Sequence, residues 1–529
     1  MIPTLIYVCL TAGLLQFWQW QQGEAQNGRE YPFVFLSASF GIYALFVDII
    51  PIDVLTLSAF GFAIYLVASL FWTDSRMSVF EVMVWLSYLM LFLAARTLPV
   101  LYVCLAIFPM GVVIAGWQLY LQITTRKIRS AHDCMNYPPM MNNNHTGVVM
   151  VMQVFVGIYL MLNFSLWIFP LVCLIGVAVA LSQARASIIA IFPALIVVAF
   201  PAWLWGIGLA VLIALTAAIV LFQNKIKNNK LVHLFRLRTL KIRLMYFLAA
   251  WYIIRQRPFF GWGMNMFRKK LFDTNGKVYS KEWVKEAMPK MGEGYFHRTH
   301  RVHNDHLELI VELGLVGYLL FASLFLQISH SMLFIGVIVA YGVNAFLFFP
   351  LREVHSAAPF WAVMGACAGT IPLDMPLPIL KIAILCSILA LLHRAWKKYL
   401  GLCYFDKAAY TNTHVERLPL YEKALEYDPY NGYYLTRAYD SAHLTAKYSK
   451  AWELSARVVF NFDGQIVKAG VYDQFGKISL HVTHLNIAKW ALEQAVSLEP
   501  EQNGSKPLLE RVTEYIDTQR INVTQEVTT

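Results

Sequence analysis

The segment HRTHRVHNDHLELIVELGLVG, which begins at His297, carries the side chains best suited to chemistry in this chain. Histidines recur at every third position with charged residues between them, the set being His297, Arg298, His300, Arg301, His303, Asp305 and His306. A neutral imidazole is a good metal ligand and, near neutral pH, a general base. Three interpretations are therefore open: a metal site, a basic helix at lipid headgroups, and a catalytic histidine.

The residues weigh against a metal, because Arg298 and Arg301 would repel a cation placed among the rings and no carboxylate triad accompanies them. They do not separate the other two interpretations. The composition of the chain identifies the elements that hold this segment.

Those elements are membrane helices. Of 529 residues, 58% are hydrophobic and only 14% are charged, and the mean hydropathy is +0.52. A soluble globular protein has about 25% charged residues, so the soluble, disordered and disulfide-scaffold classes are excluded. Apolar runs of about 17–25 residues mark membrane spans. The sequence predicts spans at about 2–20, 32–50, 54–73, 78–96, 99–123, 146–165, 166–182, 186–203, 205–223, 307–327, 331–349, 357–374 and 376–394.

Span parity collects the polar connections on one face of the bilayer. That face receives 124–145, 182–187, 224–306 and 348–355. Residues 1–394 hold 28 Lys and Arg against 16 Asp and Glu, and 18 of those cations lie between Lys225 and Arg301. This concentration predicts an anionic partner, either lipid headgroups or a phosphorylated substrate. Nucleic acid is disfavoured, because the segment lies between spans.

After Arg394 the chain becomes polar and helix-favouring. Its segments YEKALEYDPYN, ARVVFNFDGQ and ALEQAVSLEPEQ resemble copies of a tetratricopeptide repeat, whose period is about 34 residues. A generic helical bundle is the alternative. The sequence thus predicts an all-α polytopic membrane protein of about 12–13 spans with a C-terminal α-helical repeat domain. Its parts are a bundle at 1–223, a large loop at 224–306, a second bundle at 307–394 and the repeat domain at 395–529.

The run VHNDHLELIVELGLVG resembles the signature of the superfamily of O-antigen ligases, O-antigen polymerases and bacterial O-linked oligosaccharyltransferases. There, a His-Asn pair ends a large extracytoplasmic loop, and the following span has a Leu-rich stretch and Glu-x-Gly. The matching residues here are His303, Asn304, Leu307, Glu312 and Gly314.

Weaker motifs between about 140 and 375 agree in order. RPFFGWGMNMF at 257–267 resembles the Pro-x-x-Gly-x-Gly turn that opens the loop, and RLMYFLAAW at 243–251 resembles the helix before it. SQARASIIA resembles a Ser-Arg turn, although two residues separate Ser182 from Arg185. MNNNHTGVVM resembles an Asn-rich turn, and NAFLFFPLREVH a Phe-Pro-Leu turn.

The resemblance implies transfer of a glycan from a polyprenyl (undecaprenyl) pyrophosphate to an acceptor hydroxyl, with inversion and with neither metal nor cofactor. The acceptor would be lipid A core, a growing glycan or a protein. His303 would be the general base, and Asn304 would orient the imidazole or the sugar. Guanidinium groups would bind the departing pyrophosphate. The residues implied for that role are Arg185, Arg243 and Arg301, with Glu312 and Asn144 in support.

Each of these residues also has a structural interpretation. In this interpretation Arg185, at the end of a span, does no more than extend its side chain to the lipid headgroups. The basic run 225–243 lies as a helix on anionic lipid. Asn144 fits a turn former. Glu308 and Glu312 lie where the tenth span begins, and acids there are usually paired, so we expect a loop arginine as partner. Arg352 would then anchor its own turn.

Membrane orientation divides the predictions. The positive-inside rule assigns the basic face to the cytoplasm. The resemblance implies a bacterial inner-membrane protein with its motif loops and repeat domain outside the cytoplasm. Because long loops escape the rule, we expect the second orientation.

Two other functions compete with transfer. A flippase for an anionic lipid-linked sugar would place polar residues inside the spans, often on broken helices, whereas these spans look nearly free of charge. A scaffold whose repeats recruit an envelope protein leaves the His-Asn pair unexplained. We expect ligase-type transfer, with the oligosaccharyltransferase and polymerase activities as alternatives.

Overall fold

A computed structural model describes residues 1–14, 30–49, 53–73, 77–125, 143–181, 184–199, 237–267, 270–271, 274, 278, 301–326, 332–368, 378–429, 431–461, 469–498 and 505–528. Every regular element in these ranges is a helix. Two compact units divide the chain: Met1–Asp74 with Ser78–Leu392, and Ser75–Met77 with His393–Thr529.

The first unit contains the apolar helices. They are α1 (Ile2–Val8), α2 (Glu30–Phe46), α3 (Val54–Ala68), α4 (Met77–Ala95), α5 (Val100–Thr125), α6 (Asn143–Asn163), α7 (Phe169–Leu181), α8 (Arg185–Ala199), α9 (Leu237–Ile254), α10 (Asp305–Leu326), α11 (Met332–Leu347) and α12 (Val354–Cys367). The next helix, α13 (Pro378–Ala409), continues the run predicted as the last span well past Arg394.

Within the part of the chain that the structure describes, five helices are long and apolar enough to cross a membrane. Their spans are Val54–Phe71, Ser78–Ala95, Val100–Tyr120, Thr146–Asn163 and Asp305–Phe325. Six further apolar helices in the described residues are shorter than this length. The chain is therefore an all-helical, polytopic membrane protein, as predicted. The predicted span 205–223 lies outside the described residues.

The predicted large loop 224–306 contains a helix. Helix α9 begins in its basic stretch and becomes apolar from Arg243 onward. The rest of the basic run, residues 225–236, lies outside the described residues, as do His297 and His300.

Aromatic side chains fill the centre of the first unit. Trp85 and Tyr88 of α4 pack against Trp361 of α12, with Phe62 of α3 and Phe321 of α10 around them. Helix α4 is buried over 83% of its span. A residue on the first turns of α4 therefore faces its neighbours rather than lipid, which matters for Glu81.

The second unit is a series of helix pairs. Its helices after α13 are α14 (His414–Tyr427), α15 (Gly432–Leu444), α16 (Tyr448–Asn461), α17 (Ala469–His481), α18 (Leu485–Leu498) and α19 (Ser505–Thr528). The first helices of the pairs begin at His414, Tyr448 and Leu485, at intervals of 34 and 37 residues.

Equivalent turns repeat the same local structure. Ala446 and Thr483 both have left-handed backbone, with φ of 56° and 62°. The amide of the next residue donates back to the preceding helix in each, from Lys447 to Ala442 at 2.9 Å and from His484 to Ser479 at 2.8 Å. These are helix C-terminal caps. Their recurrence supports the repeat interpretation of the tail.

Candidate functional site

The corner before α10 is fixed by reciprocal hydrogen bonds. The Asn304 side-chain oxygen accepts from the Leu307 amide at 3.0 Å, which caps the helix. The Glu308 carboxylate reaches back and accepts from the Val302 amide at 2.8 Å. Asn304 is thus a buried helix cap. His303 stands between these two anchored residues.

His303 has an unusual backbone conformation. Its φ is 59°, in the left-handed region, which costs a non-glycine residue about 1–3 kcal/mol and occurs at functional sites as well as at helix ends. The hydrogen bonds of Val302 and Asn304 on either side offset that cost. The corner therefore points the imidazole out of the line of the helix.

Aromatic rings surround the His303 imidazole. Tyr246 of α9 stacks on it with centroids 5.8 Å apart, and Phe349 meets it edge-on at 5.1 Å. Its Nδ1 atom is buried and has no hydrogen-bond partner among the described residues, although the side chain as a whole is half-buried. Burial, together with the nearby Arg243 guanidinium, lowers the pKa of His303 to about 4. The imidazole is therefore neutral at pH 7 and able to accept a proton.

A buried charge cluster lies beside this corner. Arg352, in the turn Pro350–Arg352 before α12, donates to Glu81 at 2.9 Å and to Glu312 at 2.7 Å. Its Nε atom lies 3.6 Å from Glu308 and 4.0 Å from Asp305. The Arg352, Asp305, Glu308 and Glu312 side chains are fully buried. We call Glu81, Arg301, Asp305, Glu308, Glu312 and Arg352 the charge cluster.

Arg301 belongs to the same cluster. Its guanidinium lies 3.1 Å from Glu308 and 3.8 Å from Glu81, and only 18% of its side chain is exposed. The expected loop-arginine partners of Glu308 and Glu312 are thus present, as Arg301 and Arg352. Because Arg301 already faces carboxylates, less of its charge is available to a pyrophosphate than the sequence suggested.

The other predicted residues are placed as follows. Arg243 lies on α9, one turn before Tyr246, and acts electrostatically on His303. Arg185 is the first residue of α8 and Asn144 lies in the first turn of α6. The side chains of Arg185 and Asn144 lie outside the described part of the structure.

A second group of cations, which the sequence alone did not single out, lies on and just after the turn that follows α9. Arg257 and Lys270 each stand 4.1 Å from the ring centroid of Trp262. Trp262 packs on the same cluster as Tyr246 and Val302. Arg257 is exposed. The signal in the sequence is the tryptophan of the Pro-x-x-Gly-x-Gly motif, with Arg257 before it and a basic stretch directly after the motif.

The Pro-x-x-Gly-x-Gly motif is hydrogen-bonded to a break in α10. Gly314 has φ 67° and ψ −174° and interrupts the helix. The amides of Leu315 and Val316 donate to the carbonyls of Pro258 and Phe259 at 2.8 and 3.1 Å, and the Gly263 amide donates to the backbone carbonyl of Glu312 at 2.7 Å. The turn therefore supplies the hydrogen bonds that the broken helix lacks. Two motifs far apart in sequence are one structural unit.

Replacing Gly314 with alanine should destabilise the protein by about 3 kcal/mol. A Cβ atom there would stand 2.3 Å from the Phe259 carbonyl oxygen, at a φ that only glycine adopts readily. Thermal unfolding in detergent should report a lower midpoint. Gly342→Ala is the matched control, because nothing lies within 4 Å of its added Cβ. Equal midpoints for the two variants would contradict the hydrogen-bonded contact at Gly314.

Comparison with known proteins gives one family. Residues 169–322 match the model of the family described as O-antigen ligase. No curated protein matches the chain. A chain of the crystal structure of the APC/C hetero-tetramer Cut9-Hcn1 aligns over 81% of this chain and 76% of its own length, at 11% identity and a TM-score of 0.19. That score is too low to bear on the fold.

Proposed function

From the premise that this chain is a member of the O-antigen ligase superfamily, we propose that it transfers a glycan from a polyprenyl pyrophosphate to an acceptor hydroxyl, in the manner of a ligase. The superfamily consists of membrane glycosyltransferases that act in polysaccharide biosynthesis. The observation that carries the proposal is the His303 imidazole, held on a left-handed corner between the rings of Tyr246 and Phe349.

The chemistry assigns a role to each group. The acceptor oxygen attacks the anomeric carbon and its proton passes to His303. The bond from that carbon to the pyrophosphate oxygen breaks, and the pyrophosphate leaves with the electron pair. Attack opposite the leaving group inverts the anomeric centre. The imidazolium then returns its proton to water.

The leaving pyrophosphate needs fixed positive charge. Arg243 is our first candidate, because it already acts on His303. Arg185 and Arg301 remain proposals from the motif, and Arg301 is the weaker because it pairs with Glu308. Arg257 and Lys270, gathered on Trp262, join the candidates. Asn304 contributes through the corner that it caps, which would orient the imidazole.

The low basicity of His303 fits a site completed by its substrate. A bound pyrophosphate brings negative charge toward Arg243 and toward the imidazole, and a nearby anion favours the protonated form. Donor binding should therefore raise the pKa of His303 from about 4. The base becomes stronger when the donor is in place.

This gives a pH prediction. The value of kcat/KM, which reports the free enzyme, should stay constant on acidification until about pH 4 and decrease below it. This is the acid limb, and it lies there because burial and Arg243 lower the pKa of His303. The acid limb of kcat should lie at higher pH. Initial rates between pH 3.5 and 8 would measure both limbs. A kcat/KM limb near the ordinary histidine pKa of about 6.5 would contradict the buried, neutral imidazole.

The broken helix and the buried charges favour a second candidate, a lipid-linked sugar flippase. Charged residues inside spans mark transport paths, whereas the sequence predicts spans nearly free of charge. However, the acidic residues of the cluster lie within about two turns of the starts of α4 and α10, at one end of the bundle. The backbone groups left without helical partners at the break in α10 are hydrogen-bonded to the turn at 258–263. Both features suit surface chemistry better than translocation.

We further propose the inner membrane of a bacterium as the location, with the motif corner and the repeat unit outside the cytoplasm. The repeats would bind an envelope protein, since stacked helix pairs offer extended binding surfaces. Labelling a cysteine introduced at Lys285 with an impermeant reagent in intact cells tests the orientation. Protection of that cysteine would overturn the extracytoplasmic placement.

The acceptor is the next experiment. Membranes containing the chain are given a labelled lipid-linked glycan and resolved on a gel. Label on lipid A core supports the ligase activity, label on a protein band the oligosaccharyltransferase, and a ladder of lengths the polymerase. If no label moves, the transfer proposal fails and flipping assays follow.

A further inference from the structure

Arg352 is the centre of the charge cluster. Its guanidinium contacts two carboxylates within hydrogen-bonding distance, Glu81 at 2.9 Å and Glu312 at 2.7 Å, and faces two more. The three carboxylates of α10 and the one of α4 approach each other around it. Buried carboxylates placed this close together are stable only while a positive charge lies between them.

The cluster is connected to the corner that carries His303. The Glu308 carboxylate, 3.6 Å from Arg352, holds the Val302 amide at 2.8 Å. The Asp305 carboxylate accepts from the Leu351 amide at 2.8 Å, within the turn of Arg352 itself. Val302, before His303, is therefore hydrogen-bonded to the cluster, and Asn304, after it, caps the helix.

The same turn forms one wall around the imidazole. Phe348 and Phe349 stack on each other at 4.1 Å and contact the His303 ring at 6.2 and 5.1 Å. The turn thus supplies the ring contact through Phe349 and the charge through Arg352. A shift of this turn would move the imidazole and open its surroundings together.

We infer that Arg352 is a positioning residue for the base: through Glu308, Asp305 and the Phe348–Phe349 wall it holds His303 in its left-handed, enclosed position. The inference deepens the proposed function and rests on it. Without the guanidinium fork, Glu81 and Glu312 are no longer held by one group, and the corner loosens. The imidazole then leaves its enclosure.

Arg352→Lys tests this. Lysine keeps the charge but loses the fork that reaches Glu81 and Glu312 at once. We expect kcat to fall by about 10²-fold, as for a misplaced catalytic group, with KM within threefold. The acid limb of kcat/KM should rise, because a more exposed His303, still facing Arg243 and Tyr246, regains a more ordinary pKa. A purely structural role would lower the amount of protein and leave both kcat per folded molecule and the limb unchanged.

Arg96→Lys is the matched control. Arg96 is also buried and paired, donating to Asp53 at 2.8 Å and to Thr56 at 2.8 Å, and neither of these partners belongs to the cluster. We expect it to lose stability and to keep kcat and the acid limb. If Arg352→Lys behaves in the same way, the inference is overturned.

A second variant and a second readout complete the test. Glu308→Gln keeps an oxygen for the Val302 amide but removes the charge that links it to Arg352. It should lower kcat less, with the limb shifted in the same direction, and it decides the matter if Arg352→Lys does not accumulate. Modification of His303 by diethyl pyrocarbonate, followed by mass spectrometry, should be faster in both variants. This readout needs no transfer, so it separates failure of the positioning role from failure of the proposed function. Unchanged modification and unchanged kcat in Glu308→Gln would refute the inference.

Discussion

Replacing His303 with asparagine should lower the transfer rate about 10²–10⁴-fold, the contribution of a positioned general base. The variant should reach the membrane at the wild-type level. Asparagine adopts left-handed backbone more readily than most residues, so the φ of 59° at this position is preserved. What is lost is the basic nitrogen, and the loss should appear in kcat.

His306→Asn is the control for this variant. His306 stands three residues away in the same motif, and its Nδ1 atom faces the Tyr318 hydroxyl at 3.2 Å. It has no role in our account, so the rate should change by only a few fold. If the two variants lose activity equally, or if His303→Asn keeps it, His303 is not the base.

Chemical rescue sharpens the test. His303→Gly accepts the left-handed backbone without strain and leaves a space between Tyr246 and Phe349, the rings that face the imidazole. Added imidazole should restore part of the rate in this variant and none in His303→Asn, where the space is filled.

The second large effect is expected at Arg243. Arg243→Gln should lower kcat by about 10²–10³-fold, since removing one preformed donor to developing negative charge costs that much. An opposing effect exists, because loss of the cation raises the pKa of His303 and makes it a stronger base. That gain is the smaller, and it has its own signature: the acid limb of kcat/KM moves to higher pH while the rate falls.

Arg255→Gln is the matched control for Arg243. Arg255 follows the end of α9 and is exposed. It should keep the wild-type rate and pH profile. A wild-type rate in Arg243→Gln would remove Arg243 from the donor site and leave Arg257 and Lys270 as the candidates to test next.

The sequence predicted the helical membrane fold because span hydropathy is a local property. Most predicted spans differ from the helices by a few residues, as at 146–165 against Asn143–Asn163. The His-Asn pair was visible for the same reason, since its residues are adjacent. Its left-handed corner was not, because φ at His303 depends on bonds made by Glu308 and Asn304 after folding.

Long-range pairs could not be predicted from one sequence. Arg352 and Glu81 are 271 residues apart, and nothing local links them. For that reason the sequence predicts no more than a turn anchor at Arg352. Glu81 was the available signal, because an acid within an apolar span is costly and must have a partner. The Glu-x-Gly and Pro-x-x-Gly-x-Gly motifs are each visible in the sequence. The backbone hydrogen bonds that join them at Gly314 are visible only in the folded chain.

The central claim is glycan transfer from a polyprenyl pyrophosphate with His303 as base. Its most direct test uses the purified chain in lipid vesicles with a labelled lipid-linked glycan and the acceptor identified from membranes. Our account predicts labelled product and free polyprenyl pyrophosphate in equal amounts from the wild type, with both nearly absent from His303→Asn. Label crossing the bilayer with no pyrophosphate released, or equal product from both proteins, would contradict it.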